Sequence, residues 1–417
     1  MLLKTRLYLS SFKKTSRVLV ELWGIFALFS LPIGLAIAYL FPNIAIYMET
    51  IFSIFIDILV KIVPFVVPII LPPFIIKAVK IKGKGGRFLP YIFISITLLT
   101  WLAALFSSTF LTILFGLPLV GGGVDLSFSY IMDVINHIPF LSPFLISIYL
   151  TFVFIVISLF NDRLHKLLER GYTTLEKAFD YFDIVNQVIM FLAGGFLLRI
   201  QLPEIAQLPE NLPFVSNVNA LTFYLYGVVL TAVIGFGFLL LLIITIRIWI
   251  GKFNMKSFYK YLSDVSLFSF LTSSEIASIP INMKAVGDHF GVEKNVRNTV
   301  IPIIGTLQST EIAIVLPIFA VLASFAVGVE LSFISLLIYS CTIFIIYDFV
   351  VVGVPSEVAI LAVPLSQLLP IPDPKVQAFI GIIIALQAGL SDSIRTVVNV
   401  AFGGLFAILM EKVYHKL

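Results

Sequence analysis

Three long stretches of this chain contain no Asp, Glu, Lys or Arg, and they limit what the chain can fold into. They cover residues 88–124, 134–161 and 211–246. Each is long enough to hold a membrane-crossing helix, which needs about 20 apolar residues. The 417 residues are 60% hydrophobic and 12% charged, whereas soluble domains carry about 25% charged residues. The pattern predicts an all-α polytopic membrane protein.

Other apolar segments predict spans at residues 18–41, 45–77 and 175–200, all before residue 260. Lys and Arg cluster after the second, fourth and sixth predicted spans, while the intervening loops hold almost none. The positive-inside rule therefore predicts cytoplasmic N- and C-termini, the latter carrying Lys412 and Lys416. The first span is too long for a signal-peptide core, so we expect no cleavable signal and a location in the plasma (inner) membrane.

A short motif with a central carboxylate occurs three times in the last third of the chain. The copies are SSEIA at residues 273–277, STEIA at 309–313 and PSEVA at 355–359. Each copy interrupts an apolar run, which predicts a re-entrant hairpin, then a broken span, then a second hairpin entering from the opposite side. A hairpin and span repeated with inverted topology predict a binding site near the membrane midplane.

The predicted last span, residues 376–410, carries four polar side chains with helical spacing. Asp392, Arg395, Thr396 and Asn399 follow the spacing i, i+3, i+4 and i+7, which places them on one helix face. The Arg fork matches a carboxylate, and Asp accepts hydrogen bonds from an ammonium group. The face is therefore suited to a zwitterion or a dicarboxylate. The alternative is an ion pair that only joins helices.

The sequence DSIRTVVNV, residues 392–400, resembles the last-span signature of the glutamate/aspartate transporter family, the dicarboxylate/amino acid:cation symporters. GVP at 353–355 and TSSEIASIP at 272–280 are similar to that family's two hairpin tips. The resemblance covers roughly residues 264–404. It implies an elevator-type homotrimer with about eight transmembrane helices and two re-entrant hairpins in inverted repeat.

The resemblance also implies how the chain is divided. Residues 1–260 would hold six transmembrane helices, forming the trimerising scaffold and part of the transport domain. Residues 261–417 would form the transport core, with the first hairpin, broken helix 7, the second hairpin and helix 8.

Site residues follow from the same resemblance. Arg395 would hold a substrate carboxylate and Asp392 the amino group. The substrate-binding set is Ser274, Gly353, Val354, Pro355, Asp392, Arg395, Thr396 and Asn399. The cation- or proton-coupling set is Glu275, Ser309, Glu311, Glu357 and Asn399, with a Na⁺ site expected at Ser309, Glu311 and Asn399. The chain departs from the family at Gly403 and Ala388, where relatives carry sodium-binding aspartates.

The extra carboxylates, Glu275, Glu311 and Glu357, have several interpretations. They are protonatable coupling groups, or they are rebuilt ligands for a hard cation. A third interpretation pairs one of them with Arg395, which would argue against an acidic substrate. In a fourth, Glu275 and Glu357 face water at the hairpin tips or cap the hairpin arms.

Two other classes of protein compete with a transporter. Tyr347-Asp348 and GLSD at 389–392 are similar to intramembrane aspartyl-protease motifs, in which Asp348 and Asp392 would activate water. Midplane acids also suit an ion channel.

The Arg-bearing face favours a carrier, so we predict a symporter and no enzyme. Its substrate would be a small anionic or zwitterionic solute, with an acidic amino acid or dicarboxylate favoured. We expect Na⁺ or H⁺ as the coupling ion, no cofactor and no nucleic-acid partner.

Overall fold

The structure is a computed structural model, and it is helical apart from one short β-hairpin. It describes residues 30, 32–48, 50–51, 54, 68–69, 72–73, 75–76, 85–120, 143–171, 174, 188, 191–192, 208–251, 253–307, 309–347, 369, 371–387 and 389–417. The helices are α1 (Gly85–Phe115), α2 (Pro143–Phe160), α3 (Ala220–Ile250), α4 (Met255–Thr272), α5 (Glu275–Phe290), α6 (Lys294–Leu307), α7 (Ser309–Ala326), α8 (Phe333–Tyr347), α9 (Asp373–Gln387) and α10 (Leu390–Lys416). Strands β1 (Asn211–Leu212) and β2 (Val215–Ser216) pair antiparallel just before α3.

Long apolar helices confirm the predicted polytopic membrane fold. Within the described ranges, four segments are long and apolar enough to cross a membrane: Arg87–Phe115, Ala220–Ile250, Lys294–Ala326 and Leu390–Lys416. Helices α1 and α3 correspond to the predicted spans at 88–124 and 211–246, and α2 lies inside the span at 134–161. The predicted spans at 18–41, 45–77 and 175–200 fall largely outside the described residues.

The helices form an inner and an outer group. The apolar part of α10 and of the α6–α7 segment is 94% buried, against 33% for α1. Helix α10 packs against α3, α4, α5, α6 and α7, so it is the centre of the described fold. Large apolar side chains of α3 remain exposed at helical spacing: Leu221, Leu225, Val229, Val233, Phe236, Leu240, Ile244 and Ile248. Such an outward apolar stripe suits contact with lipid.

The motif SSEIA at residues 273–277 lies at the junction of α4 and α5, and both helices are longer than the sequence predicted. Helix α4 ends at Thr272, the following Ser273 adopts a left-handed conformation with φ 46°, and Ser274 caps the start of α5. The two hairpin arms predicted from the sequence, residues 265–271 and 276–283, are shorter than the observed helices. Asn254 caps α4 by accepting hydrogen bonds from two backbone N–H groups, so Lys256 and Lys260 lie in the helix and not in a loop.

The prediction of one continuous last span over residues 376–410 was wrong. Helix α9 ends at Gln387 and α10 begins at Leu390, after Gly389 with φ 74°. That backbone conformation is accessible mainly to glycine, so the helix cannot continue through it. The Leu390 N–H, which has no partner within the helix, donates to the Tyr224 hydroxyl of α3 at 2.8 Å.

Two predicted interruptions fall on residues outside the described ranges. Helix α6 ends at Leu307 and α7 begins at Ser309, with Gln308 between them not described. The broken span therefore stays a prediction. The first arm of the second predicted hairpin contains α8, but its tip at residues 353–357 is not described. The inverted repeat likewise stays a prediction.

Candidate functional site

Arg395 lies on α10 at the centre of a buried charged cluster. Its Nη1 donates to Glu311 Oε1 of α7 at 2.7 Å, and its Nη2 donates to Asp392 Oδ1 of α10 at 2.7 Å. All three side chains are at most 2% exposed. Asp392 and Arg395 meet because their i, i+3 spacing places them on one helix face. Packing of α7 on α10 then supplies the second carboxylate.

Glu275 adds a third carboxylate to this cluster. It begins α5, is 2% exposed, and lies within electrostatic reach of Arg395 and Asp392 and beside the Thr396 hydroxyl. The interpretation that Glu275 faces water at a hairpin tip is therefore wrong. Among the described residues, the buried charged side chains are Glu275, Glu311, Asp392 and Arg395. Three acids thus face one base, and full ionisation leaves the cluster with excess negative charge.

Serine hydroxyls join the α4–α5 connection to the start of α10. Ser273 Oγ lies 2.8 Å from Ser393 Oγ, and both side chains are buried. Ser274 Oγ accepts from the Ala277 N–H at 3.3 Å, and Ser278 Oγ donates to the Ser274 carbonyl at 2.8 Å. These bonds satisfy the first turn of α5 and hold Glu275 against α10.

A small cavity separates α5, α6 and α10 next to Glu275. Its lining residues are Glu275, Ile279, Asn282, Ile301, Ile304, Gly305, Asn399, Val400 and Gly403. Asn399 is 2% exposed, and neither atom of its amide has a hydrogen-bond partner within the part of the chain that the structure describes. A buried amide without partners costs free energy. Asn399 therefore offers its oxygen and its N–H groups to an occupant of this cavity.

The structure brings several of the predicted site residues together. Ser274, Glu275, Glu311, Asp392, Arg395, Thr396 and Asn399 are buried around the junction of α4, α5, α7 and α10. Glu311 and Asn399 line two different cavities, Glu311 sharing its own with Arg395. Ser309 begins α7, and its side chain is not described. Gly353, Val354, Pro355, Glu357, Ala388 and the alternative Asp348 lie outside the described residues.

Sequence reasoning missed the polar residues that support this site. Tyr261 Oη lies 2.8 Å from Asn282 Oδ1 and 3.0 Å from the Val400 carbonyl, and Asn282 Nδ2 donates to the same carbonyl at 2.8 Å. These bonds tie α4 and α5 to α10. Asn282, a polar residue inside a short apolar arm, was the available signal. Tyr224 and Tyr261 gave no such signal, because tyrosine is common in membrane helices.

The comparison with protein families identifies the class of protein. Residues 212–413 match the Sodium:dicarboxylate symporter family, and this stretch includes α3–α9 and α10 up to residue 413, with every described charged residue of the cluster. This part of the chain is similar to that family, as the motifs at 272–280, 353–355 and 392–400 indicated. No curated protein matches the chain. The family is one of sodium-coupled symporters for dicarboxylates and amino acids, and it is not a family of enzymes.

The family name implies Na⁺, and part of the described site fits a cation. Hard cations prefer oxygen ligands. Gly403 supplies no side-chain oxygen, but Glu275 and Asn399 line the same cavity as Gly403. These two residues would hold the ion, and the ion would supply the energy of its gradient. Among the described residues there is no group of three or more His, Cys, Asp or Glu arranged to hold a metal.

Proposed function

We propose that this protein is a secondary active symporter that moves a small anionic or zwitterionic solute, coupled to Na⁺, H⁺ or both. The observation that carries the proposal is the buried Glu311–Arg395–Asp392 cluster, in which Arg395 contacts Glu311 of α7 and Asp392 of its own helix, each at 2.7 Å. Charges inside a membrane protein are costly, and they mark pathways for ions and solutes by default. The cluster lies at helix ends that meet inside the molecule, where polar backbone groups are available to a ligand.

The proposal assigns separate roles to the two sides of Arg395. Solute would bind between the Ser273–Ser274 connection and the α10 face with Asp392 and Thr396. The coupling ion would bind on the Glu275–Asn399 side. Because both regions meet at α10, a shift of the α4–α5 pair would alter both. An acidic solute would have to displace Glu311 or Asp392 from Arg395 before it could bind there.

The larger assembly follows the family resemblance. We propose that residues 1–260 form a trimerising scaffold with part of the transport domain and that residues 261–417 form the transport core. The α4–α5 pair would be a re-entrant hairpin, opening from the cytoplasmic side in an elevator movement. Both chain termini would be cytoplasmic, in the plasma (inner) membrane.

Uptake into proteoliposomes tests the proposal. The purified protein is reconstituted, Na⁺ and H⁺ gradients are imposed separately, and uptake of labelled amino acids and dicarboxylates is measured. We expect concentrative uptake of at least one of these solutes under one gradient, because the cluster couples solute to ion. The control is the same liposomes with both gradients collapsed.

Two outcomes would count against this proposal. Solute movement that only follows its own gradient would indicate a channel. Cleavage of a membrane-span peptide that is abolished by Asp348→Ala would revive the aspartyl-protease alternative. Strict Na⁺ dependence without any effect of a pH gradient would exclude H⁺ as the coupling ion and leave the symporter intact.

A further inference from the structure

Arg395, the residue expected to receive a substrate carboxylate, is already neutralised by the protein. Its two terminal nitrogens contact two different carboxylates, Glu311 on α7 and Asp392 on α10, each at 2.7 Å. A guanidinium fork offers its best bidentate contact through these nitrogens. A second carboxylate on the solute must therefore compete with two carboxylates that are already positioned and buried.

The charge balance of the cluster adds to this competition. Three buried acids, Glu275, Glu311 and Asp392, surround one base, and the buried residues of the described chain include no other Lys or Arg. A dicarboxylate would bring further negative charge into a low-dielectric region, where repulsion between like charges is strong. An ammonium group would instead reduce the excess negative charge.

Neutral donors remain for a single carboxylate. The Ser273 and Ser393 hydroxyls meet at 2.8 Å between the end of α4 and the first turn of α10, and Ser393 follows Asp392 directly in the sequence. Hydroxyl groups satisfy one carboxylate without an additional full charge. An amino acid with a neutral side chain therefore matches the site, with its ammonium toward the acids and its carboxylate toward the serines.

We infer that the site recognises a solute with an ammonium group and at most one carboxylate, and that Glu311 sets this preference by occupying Arg395. The inference rests on the proposed transport function and names its substrate class. Glu311 acts through Arg395, so it is a positioning residue. Removing its charge frees one side of the guanidinium for a side-chain carboxylate of the solute.

Equilibrium binding to the full-length protein in detergent tests the inference, with uptake measured in parallel. Four probes are used. L-serine and L-alanine carry an amine and one carboxylate, L-aspartate carries an amine and two carboxylates, and succinate carries two carboxylates and no amine. Thermal unfolding and calorimetry report binding. Wild type is expected to bind serine or alanine at least about tenfold more tightly than aspartate or succinate, a difference of about 1.4 kcal/mol.

Glu311→Gln is expected to shift the ratio of aspartate affinity to serine affinity toward aspartate by about tenfold or more, because it releases Arg395. Glu311→Asp keeps the charge and is expected to retain the wild-type order. Glu330→Gln is the matched control, since Glu330 is exposed between α7 and α8 and its loss removes the same charge outside the site. If Glu311 had a merely structural role, Glu311→Gln would weaken the binding of all four probes equally and leave the ratios of their affinities unchanged.

The outcomes separate this inference from the proposed function. Wild type that binds and takes up aspartate or succinate at least as well as serine would overturn the inference and leave the symporter proposal standing. A folded Glu311→Gln variant with the wild-type ratio of aspartate affinity to serine affinity would also overturn the inference. If Glu311→Gln does not fold, the wild-type order and Glu311→Asp decide the substrate class. No binding or uptake of any probe would overturn both proposals.

Discussion

A buried arginine between two acids illustrates how single residues define this site. Burying an ion pair costs desolvation energy that the attraction between its members only partly returns. Removing one member is costlier, because a charge then stays buried without compensation. Arg395 compensates Glu311 and Asp392 together, and Glu275 lies nearby. The guanidinium therefore offsets the negative charge of three buried acids.

Replacing Arg395 by methionine tests this dependence. Arg395→Met is expected to destabilise the protein by about 3–5 kcal/mol, because Glu311 and Asp392 lose their cation. Thermal unfolding in detergent measures the loss. Arg163→Met is the control, since Arg163 is exposed. Adding Glu311→Gln and Asp392→Asn to Arg395→Met should recover much of the stability. An unchanged unfolding temperature for the single variant would contradict the ion-pair assignment.

At the level of elements, α10 brings the site together because small residues let other helices approach it closely. A methyl group at position 404 would overlap the Tyr261 hydroxyl of α4. That hydroxyl contacts Asn282 of α5 and the Val400 carbonyl, so one glycine decides how three helices meet. Close approach at small residues is the usual way in which membrane helices pack.

Two adjacent glycines allow a matched test of this packing. Gly404→Ala is expected to cost about 1–3 kcal/mol, because Tyr261 must move and lose its hydrogen bonds. At Gly403, an added methyl group would come no closer than 3.4 Å to Asn282 and Ile304, both ordinary contacts. Gly403→Ala is therefore expected to change stability by less than about 0.5 kcal/mol. Equal unfolding temperatures for the two variants would contradict the packing described.

At the level of the whole molecule, segments predicted to lie on the same side of the membrane meet in the structure. The Lys412 ammonium near the end of α10 donates to the Trp249 carbonyl near the end of α3 and lies 5.6 Å from its ring. Both helix ends were predicted to be cytoplasmic. The Phe333 N–H donates to the Pro118 carbonyl at 2.9 Å, joining two segments predicted to be outside.

Cysteine labelling tests this orientation. Cys341 is the single cysteine of the sequence, so Cys341→Ser gives a background free of thiols. In that background, Lys416→Cys is expected to react with a membrane-impermeant maleimide in inside-out vesicles and not in right-side-out ones. Ser216→Cys, exposed in β2 at the opposite end of α3, is expected to show the reverse. The same pattern for both positions would contradict the proposed topology.

The sequence by itself determined the membrane class, the resemblance to the symporter family and the face of α10 that carries Asp392, Arg395, Thr396 and Asn399. These depend on hydrophobic runs and helical spacing, which are local properties of the chain. The division of the last span at Gly389 was missed, because a lone glycine in an apolar run does not reveal its φ angle.

Only the tertiary structure decided which acid meets Arg395. The three Glu motifs look alike in sequence, yet Glu311 binds the Arg395 guanidinium, whereas Glu275 lines the cavity that contains Asn399. The helix that supplies each partner is chosen by the packing of α5, α6 and α7 around α10. Electrostatic pairing acts over a few ångströms in space, whereas the residues that pair here lie 84 positions apart in the chain.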